Sequence, residues 1–360
     1  EAQTSSARYY QRPDAKHLGV DSTLTSMNGF AVNLLAGKFA GGKWRYGGAY
    51  MTRSPGFEVN DLGYMRFTDA HLAALWGGYE QFEPGKVLRE WRVNTNIYLA
   101  WNYGNEKIEE GCNINGHIQF LNYWGIYGGV AREGEKKDNT HLRGGPSLII
   151  PGVTKSWHGF YTDRRKTISF GYNGHFVKRD RGMIRYSASP RLTVRPSGRF
   201  DFTLSPSFSV SEDDIQYVDE INGRYIVANL KMKQLALTLR LNLTINPEMT
   251  LQFYGMPFIA AGDYSDFKEV VSPRAENYDE RFAPYDYPDN PDFNFRQFRS
   301  NLVFRWEYSP GSTIYLVWSR GATSYIDEYG KFSAWSDMRE LFETRGDNVF
   351  MIKINKWFSL

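Results

Sequence analysis

Apolar and polar residues alternate along most of this chain, and the clearest stretch is residues 235–245. Its odd-numbered positions are all leucine or isoleucine: Leu235, Leu237, Leu239, Leu241, Leu243 and Ile245. The positions between them are small or polar: Ala236, Thr238, Arg240, Asn242 and Thr244. A period of two places the leucines on one face of a β-strand, whereas a helix would distribute them around its axis. A strand of about 11 residues is also long enough to cross a bilayer at a tilt.

The same period recurs in residues 93–103, 200–210 and 301–308, where the second face is mainly polar. Turn-forming pairs separate the alternating stretches: Gly41-Gly42, Asn105-Glu106, Ser197-Gly198, Asn222-Gly223, Asn246-Pro247 and Pro310-Gly311. Hairpins repeating about every 20–25 residues predict an all-β, antiparallel fold of about 14–18 strands. No linker or change in composition divides the chain, so we predict that residues 1–360 form a single domain.

The polar face of such strands meets either the solvent around a soluble barrel or the lumen of a membrane barrel. Strand length favours the lumen, and so do aromatic residues near strand ends: Trp101, Tyr103, Trp306, Tyr308 and Trp318. No run approaches the roughly 18 apolar residues of a spanning helix, which excludes an α-helical membrane protein. We therefore predict an antiparallel transmembrane β-barrel. Its candidate lumen-lining residues are Asn94, Asn96, Arg240, Asn242, Arg305 and Glu307.

Three segments interrupt the alternation. Residues 1–27 are either a lead-in to the barrel or its first strand. Residues 272–297 are acidic and rich in Pro and Tyr, which predicts a long outer loop. Residues 333–345 predict a short amphipathic helix near the C-terminus, with four apolar residues on one face: Trp335, Met338, Leu341 and Phe342.

The sequence offers no recognisable catalytic chemistry. Its 6 histidines are scattered, and no motif for a nucleophile, a bound cofactor or a metal is present, so we predict no catalytic, cofactor-binding or metal-ligating residue. The acidic residues of 272–297 match no EF-hand spacing and are interpreted as a solvated loop rather than a calcium site. The lone Cys112 cannot form an internal disulfide and is expected to pack as a small apolar residue.

The charge of the chain is nearly balanced, with 43 Lys+Arg against 40 Asp+Glu. This balance provides no concentrated basic face, so a nucleic-acid partner is not expected. Two short basic groups, residues 163–166 and 178–181, would contact lipid or lipopolysaccharide phosphates if they lie at the rim of a barrel. The alternative is that they are charged turn residues beside strands.

Five stretches carry a resemblance to one family. They are SPGFEVNDLG (54–63), WHGFYTDRRK (157–166), RLNLTINPEMTLQFYGMPFIAAGDYSDF (240–267), FRWEYSPGSTIYLVW (304–318) and GDNVFMIKINKWF (346–358). They resemble the C-terminal barrel region of an outer-membrane family with no agreed activity. In that family the barrel follows a periplasmic domain similar to family-nine carbohydrate-binding modules. The resemblance implies a location in a Gram-negative outer membrane and further sequence upstream of the barrel, and it transfers no catalytic residue.

These observations leave several functions open. We expect passage or binding of a polar solute, such as a glycan fragment, across the outer membrane, with lumenal charges setting selectivity. The alternative is a barrel plugged by the 333–345 helix or the 272–297 loop, which serves as a scaffold for outer-membrane or periplasmic protein partners. A rim-located hydrolase is less favoured because no serine and histidine are spaced as a pair, so we expect no enzymatic activity. A soluble glycan-binding sandwich or propeller would need shorter strands and a repeat.

Overall fold

The computed structural model describes residues 1–358, which form eighteen β-strands, one α-helix and two short 3-10 turns. The strands are β1 (Ala31–Lys38), β2 (Trp44–Arg53), β3 (Ala70–Gln81), β4 (Leu88–Trp101), β5 (Lys107–Phe120), β6 (Gly125–Glu133), β7 (Lys136–Asp138), β8 (Leu148–Ile150), β9 (Val153–Tyr161), β10 (Ile168–Arg179), β11 (Met183–Ser197), β12 (Phe200–Ile221), β13 (Arg224–Asn246), β14 (Met249–Val270), β15 (Phe282–Pro284), β16 (Phe293–Ser309), β17 (Ser312–Asp327) and β18 (Asp347–Asn355). The helix α1 is Ala334–Glu343.

Sixteen of the strands form one antiparallel sheet. Fifteen of them follow one another from β1 to β18 in the order of the sequence, and β15 pairs only with β14. The remaining two strands, β7 and β8, form a separate hairpin within the connection from β6 to β9. The prediction of an all-β antiparallel fold with one short helix near the C-terminus is therefore confirmed.

The connections between neighbouring strands are unequal at the two ends of the sheet. One end, here called the short-turn end, carries tight connections: residues 39–43, 82–87, 121–124, 162–167, 198–199, 247–248 and 310–311. The other, here called the loop end, carries the long segments: residues 1–30, 54–69, 134–152, 271–292 and 328–346. Strands β12, β13 and β14 have 22, 23 and 22 residues and extend furthest towards the loop end.

The two faces of the sheet differ in chemistry because the pairing register is continuous through its centre. Leu235 pairs with Phe208 on one side and Ile259 on the other, so apolar residues of successive strands share one face, here called the apolar face. The opposite, polar face carries the residues between them. In β4, β5 and β6 the apolar face is the more exposed one. For example, Ile97 is 60% and Ile114 52% exposed, whereas Asn96 and Asn113 are half-buried.

The sheet has two free edges. Within residues 1–358, β1 pairs only with β2 and β18 only with β17, so no closed barrel is present. The path contains fifteen strands, and each runs antiparallel to its neighbours. The first and the last strand therefore run in the same direction, from the loop end to the short-turn end. A direct pair between β1 and β18 would therefore be parallel, in a sheet whose other pairs are all antiparallel.

The sheet is strongly curled, as one contact across the loop end indicates. The Arg274 guanidinium lies 3.2 Å from the Glu106 carboxylate. Glu106 directly precedes β5 and Arg274 is four residues beyond β14, and seven strand spacings of a flat sheet would separate β5 from β14 by about 34 Å. Four residues span at most about 14 Å, and an arginine and a glutamate side chain cannot bridge the remaining distance of about 20 Å.

A small hydrophobic core lies at the loop end, between the extended ends of β12 to β14 and the loops above them. Its buried residues are Leu142, Leu148, Ile150, Ile215, Val227, Val270 and Tyr278. The hairpin β7–β8 contributes two of them and is joined to the 271–292 loop by a hydrogen bond from the Ile149 amide to the Pro273 carbonyl, 3.0 Å. The 134–152 and 271–292 loops therefore pack on each other as one unit, here called the loop cap.

Several sequence-based boundaries require correction. Residues 1–27 contain no strand and lie at the loop end, because their backbone hydrogen bonds are local or reach residues 54–69 instead of β1. The segment 272–297 is a loop only to residue 292, since alternation from Phe293 onwards pairs with β14. The 333–345 helix is confirmed as α1. Within residues 1–358, no helix has both the length and the apolar character that crossing a membrane would require.

Candidate functional site

The six predicted lumen-lining residues all lie on the polar face. Asn94 and Asn96 belong to β4, Arg240 and Asn242 to β13, and Arg305 and Glu307 to β16. The pairing register connects these strands without a change of face. They form three separate pairs and not one cluster, because the three strands occupy different positions along the curled sheet.

The asparagine pair extends into a ladder of amide side chains. Asn94 Nδ2 donates to Asn115 Oδ1 at 3.2 Å, and Asn96 Nδ2 donates to Asn113 Oδ1 at 2.9 Å. Asn115 Nδ2 donates in turn to Asn113 Oδ1 at 3.0 Å. Amide side chains satisfied by one another hold a fixed geometry and still present donors and acceptors to a neighbouring polar molecule. The partners on β5 were not among the residues predicted from sequence, although the alternation of Asn113 and Asn115 with Cys112 and Ile114 indicates their face.

The two pairs that contain an arginine differ in how far the arginine charge is balanced. Arg305 Nη2 lies 2.6 Å from Glu307 Oε2 on the same strand, so these charges largely compensate each other. The Arg240 guanidinium lies over the Tyr254 ring, 5.2 Å from its centre, and forms no ion pair within residues 1–358. Arg240 is exposed. It is therefore the member of the predicted set that is most available to an anionic or polar solute.

Arg281 anchors the loop cap. Its side chain is only 1% exposed and donates to three backbone carbonyls: Ala275 and Ile149 at 2.8 Å and Glu276 at 3.1 Å. Its Nη2 also lies 3.2 Å from the Glu135 carboxylate. A buried guanidinium whose donors are all directed to neighbouring loops holds those loops in one arrangement. Sequence analysis did not single out this residue.

A second network joins the N-terminal segment to the loop cap. Asp14 accepts hydrogen bonds from the Ser147 amide at 2.8 Å and from the Arg274 guanidinium. Burial by itself raises the pKa of Asp14, but the hydrogen bonds from Ser147 and Arg274 outweigh it and lower the pKa below its ordinary value. Glu106 is affected similarly, because hydrogen bonds from Lys137 and Asn102 outweigh its burial and lower its pKa.

A small polar cavity of about 390 Å³ lies beneath the loop cap. The Tyr278 hydroxyl donates to Asp214 Oδ2 at 2.6 Å, and burial together with this hydrogen bond raises the pKa of Tyr278. Lys268 and Arg181 also line the cavity, and the second Asp214 oxygen has no hydrogen-bond partner within residues 1–358. No group of three or more His, Cys, Asp or Glu side chains in the described residues is placed to hold a metal ion.

The apolar face carries a larger, open depression of about 1240 Å³ across β1 to β6. Leu34, Leu75, Ile97 and Cys112 are among its lining residues. Few polar groups converge there, so the depression suits hydrocarbon and not a polar ligand. Cys112 is exposed on this face instead of packed, contrary to the expectation from sequence.

The two basic groups considered as a lipid contact lie at opposite ends of the sheet. Residues 163–166 belong to the β9–β10 connection at the short-turn end, and residues 178–181 to the β10–β11 hairpin at the loop end. Arg165 is bound to Asp163 of its own turn at 2.8 Å, and Arg181 to Asp279 at 3.1 Å. They therefore cannot form one continuous basic patch.

Comparison with known proteins gives one result. A search of curated proteins finds no match. A family model described as a domain of unknown function, DUF5916, matches residues 2–358 and so extends over nearly the whole chain. The match includes the alternating strands, the loop cap and α1 together. The chain therefore belongs to the DUF5916 family.

Proposed function

We propose that this protein is a β-barrel of the outer membrane whose polar face lines a passage or binding path for a polar solute. One observation carries the proposal: in β4 to β6 the apolar face is exposed while the asparagine-rich face is half-buried. A water-soluble protein has the reverse arrangement, because exposing contiguous apolar surface to water is unfavourable. Lipid around the apolar face and water along the polar face satisfy both.

The curvature of the sheet supports the same assignment. A concave face loses solvent exposure relative to a convex one, and the less exposed face in β4 to β6 is the polar one. The contact between Arg274 and Glu106 requires strong curling. A sheet that curls around its polar face brings the asparagine ladder, Arg240 and Arg305 towards a common interior.

Closure of such a barrel requires a further strand. A spanning sheet with free edges would leave unpaired N–H and C=O groups in hydrocarbon. Because β1 and β18 run in the same direction, one additional strand placed between them, or another odd number, would be antiparallel to both neighbours. We propose that the complete barrel includes this strand in addition to the fifteen of the path.

Bilayer conductance tests the passage. The purified full-length protein is reconstituted in planar bilayers, and the ratio of cation to anion permeability is compared with that of Arg240→Glu and Arg305→Glu. We expect the Arg240 variant to shift selectivity towards cations more strongly, because Arg305 is already compensated by Glu307. Arg66→Glu, at an exposed position of the 54–69 loop, is the control with the same charge change off the polar face. Stable channels with unchanged selectivity in both variants would contradict a lumenal role.

The loop cap favours one second function, a barrel plugged by its loops that acts as a scaffold for protein partners. Residues 1–30, 134–152 and 271–292 join across the loop end, and the buried Arg281 fixes two of these segments together. A plugged barrel predicts no conductance from inserted wild-type protein and conductance steps from an Arg281→Ala variant. Open channels in the wild type would contradict it.

A further inference from the structure

The segment 328–346, which contains α1, crosses the apolar face of the sheet near the loop end. The Asn294 amide donates to the Lys331 carbonyl at 2.8 Å, and the rings of Phe332 and Phe208 lie 6.3 Å apart. Asn294 and Phe208 share their face with the leucine run of β13. The helix therefore lies on the outside of the curled sheet, and the idea that it folds inward as a plug is not supported.

An ion pair fastens the helix to this face. Arg296 on β16 lies 2.8 Å from Asp337 of α1, with both side chains less than 5% exposed, and it also binds Glu340. Arg296 points to the apolar face, because its register partner is Ile259. Ile259 and Leu341 are fully buried. An arginine at the margin of the apolar face is thus neutralised and covered by the helix.

The outward side of α1 exposes two large apolar side chains beside charged ones. Trp335 is 84% and Phe342 48% exposed, and they line one surface with Met338, Arg339 and Glu343. The buried side holds the charged Asp337 instead. Exposing Trp335 and Phe342 while burying Asp337 is unfavourable in water, and large apolar side chains beside charged ones are typical of helices that lie in a membrane interface.

The height of the helix on the sheet matches a membrane boundary. The leucine run of β13 ends at Leu235, whose partner Ile259 pairs with Arg296, and the next residue of β13 on this face is Lys233. Below α1 the apolar face continues to the short-turn end over about 11 residues, close to what a tilted strand needs to cross the hydrocarbon. The exposed side of α1 is thus continuous with the apolar face at its margin.

We propose that α1 is an interfacial helix whose Trp335, Met338 and Phe342 insert into the lipid leaflet at the loop end, with Arg339 at the level of the lipid phosphates. The inference rests on the proposed membrane location of the sheet. It adds that the 328–346 segment is a lipid-binding element that fixes the depth of the barrel in the bilayer, and not a plug or a docking site for a protein.

Depth-dependent quenching tests the proposal on the full-length protein in phosphatidylcholine vesicles. Single cysteines replace Trp335, Ile114 and Glu276 in a Cys112→Ala background and carry an environment-sensitive fluorophore. Ile114 is in the middle of β5 on the apolar face, and Glu276 is an exposed residue of the loop cap. The vesicles contain nitroxide lipids labelled either near the headgroup or near the end of the acyl chain.

We expect the label at 335 to lose most of its fluorescence to the headgroup-proximal nitroxide and little to the deep one. The label at 114 should show the opposite preference, and the label at 276 should be unaffected by either. Quenching at 114 with none at 335 would overturn the interfacial helix and leave the membrane assignment intact. Absence of quenching at both positions would overturn the membrane assignment as well. Protection of 335 only when a co-purified protein is present would identify a protein partner and contradict the lipid.

Discussion

Arg281 Nη1 donates a hydrogen bond to the Ile149 carbonyl across 2.8 Å, although 132 residues separate the two in sequence. This bond joins the β7–β8 hairpin to the 271–292 loop, and two further carbonyls depend on the same guanidinium. Three carbonyls of the loop cap therefore share one donor side chain.

Replacement of Arg281 by alanine should loosen the loop cap without disturbing the sheet. Three backbone carbonyls would lose their donor, and at about 1 kcal/mol for each hydrogen bond a local loss of about 3 kcal/mol is expected. Hydrogen exchange should rise about a hundredfold in residues 134–152 and 271–281 and stay unchanged in β16. Arg66→Ala, which removes an exposed arginine of the 54–69 loop at the same end, is the control. Unchanged exchange in the cap would show that the hydrophobic core alone maintains it.

The attachment of the N-terminal segment should depend on pH. Because the hydrogen bonds from Ser147 and Arg274 lower the pKa of folded Asp14, its contribution is present above the unfolded pKa near 3.9 and is lost as pH falls through the folded value. Glu106 shifts in the same direction. Limited proteolysis by an acid-tolerant protease should cut residues 1–30 more rapidly below about pH 4. The Asp14→Asn variant should be cut at neutral pH as rapidly as the wild type is cut below about pH 4. A wild-type cleavage rate independent of pH would exclude this role.

Two turn glycines should respond differently to alanine. Gly223 has a φ of +78° and follows Asn222 at +52°, so the β12–β13 hairpin uses a left-handed turn. Alanine there should cost about 1 kcal/mol, because a Cβ disfavours this conformation although no atom blocks it. Gly198, in the β11–β12 turn, also has open space around it but no positive φ, and its alanine variant should be neutral. Urea denaturation of the folded protein in detergent measures both. Equal effects would contradict the conformational explanation.

The edge strands should not form a direct disulfide. In a Cys112→Ala background, Leu35→Cys on β1 is combined with Met351→Cys on β18, together with neighbouring positions on each strand. One intervening strand would separate such residues by about 9.6 Å, beyond the roughly 7 Å limit between Cα atoms of a disulfide. Maleimide linkers of suitable length should cross-link them in native membranes. Leu34→Cys with Tyr50→Cys, which face each other on β1 and β2, is the positive control. A spontaneous β1–β18 disulfide would support direct, parallel closure.

The sequence by itself determined the strands and their two faces. Leu235 to Ile245 predicts one apolar face because a period of two is a local property of the backbone, and β13 carries it as predicted. The same period of two placed Arg240 and Asn94 on the opposite, polar face. Glycine and asparagine at Asn222-Gly223 indicated a hairpin because few other residues adopt its geometry.

Only the tertiary structure decided where the irregular segments lie. The amphipathic pattern of 333–345 predicts a helix, but its position on the apolar face of the sheet depends on the pairing of Arg296 with Asp337, which no local pattern contains. The role of Arg281 likewise depends on loops more than 130 residues apart. The free edges of β1 and β18 follow from the number of strands that actually pair. Alternation is fixed by neighbouring residues, whereas loop contacts and edges depend on how the whole sheet curls and which distant groups it brings together.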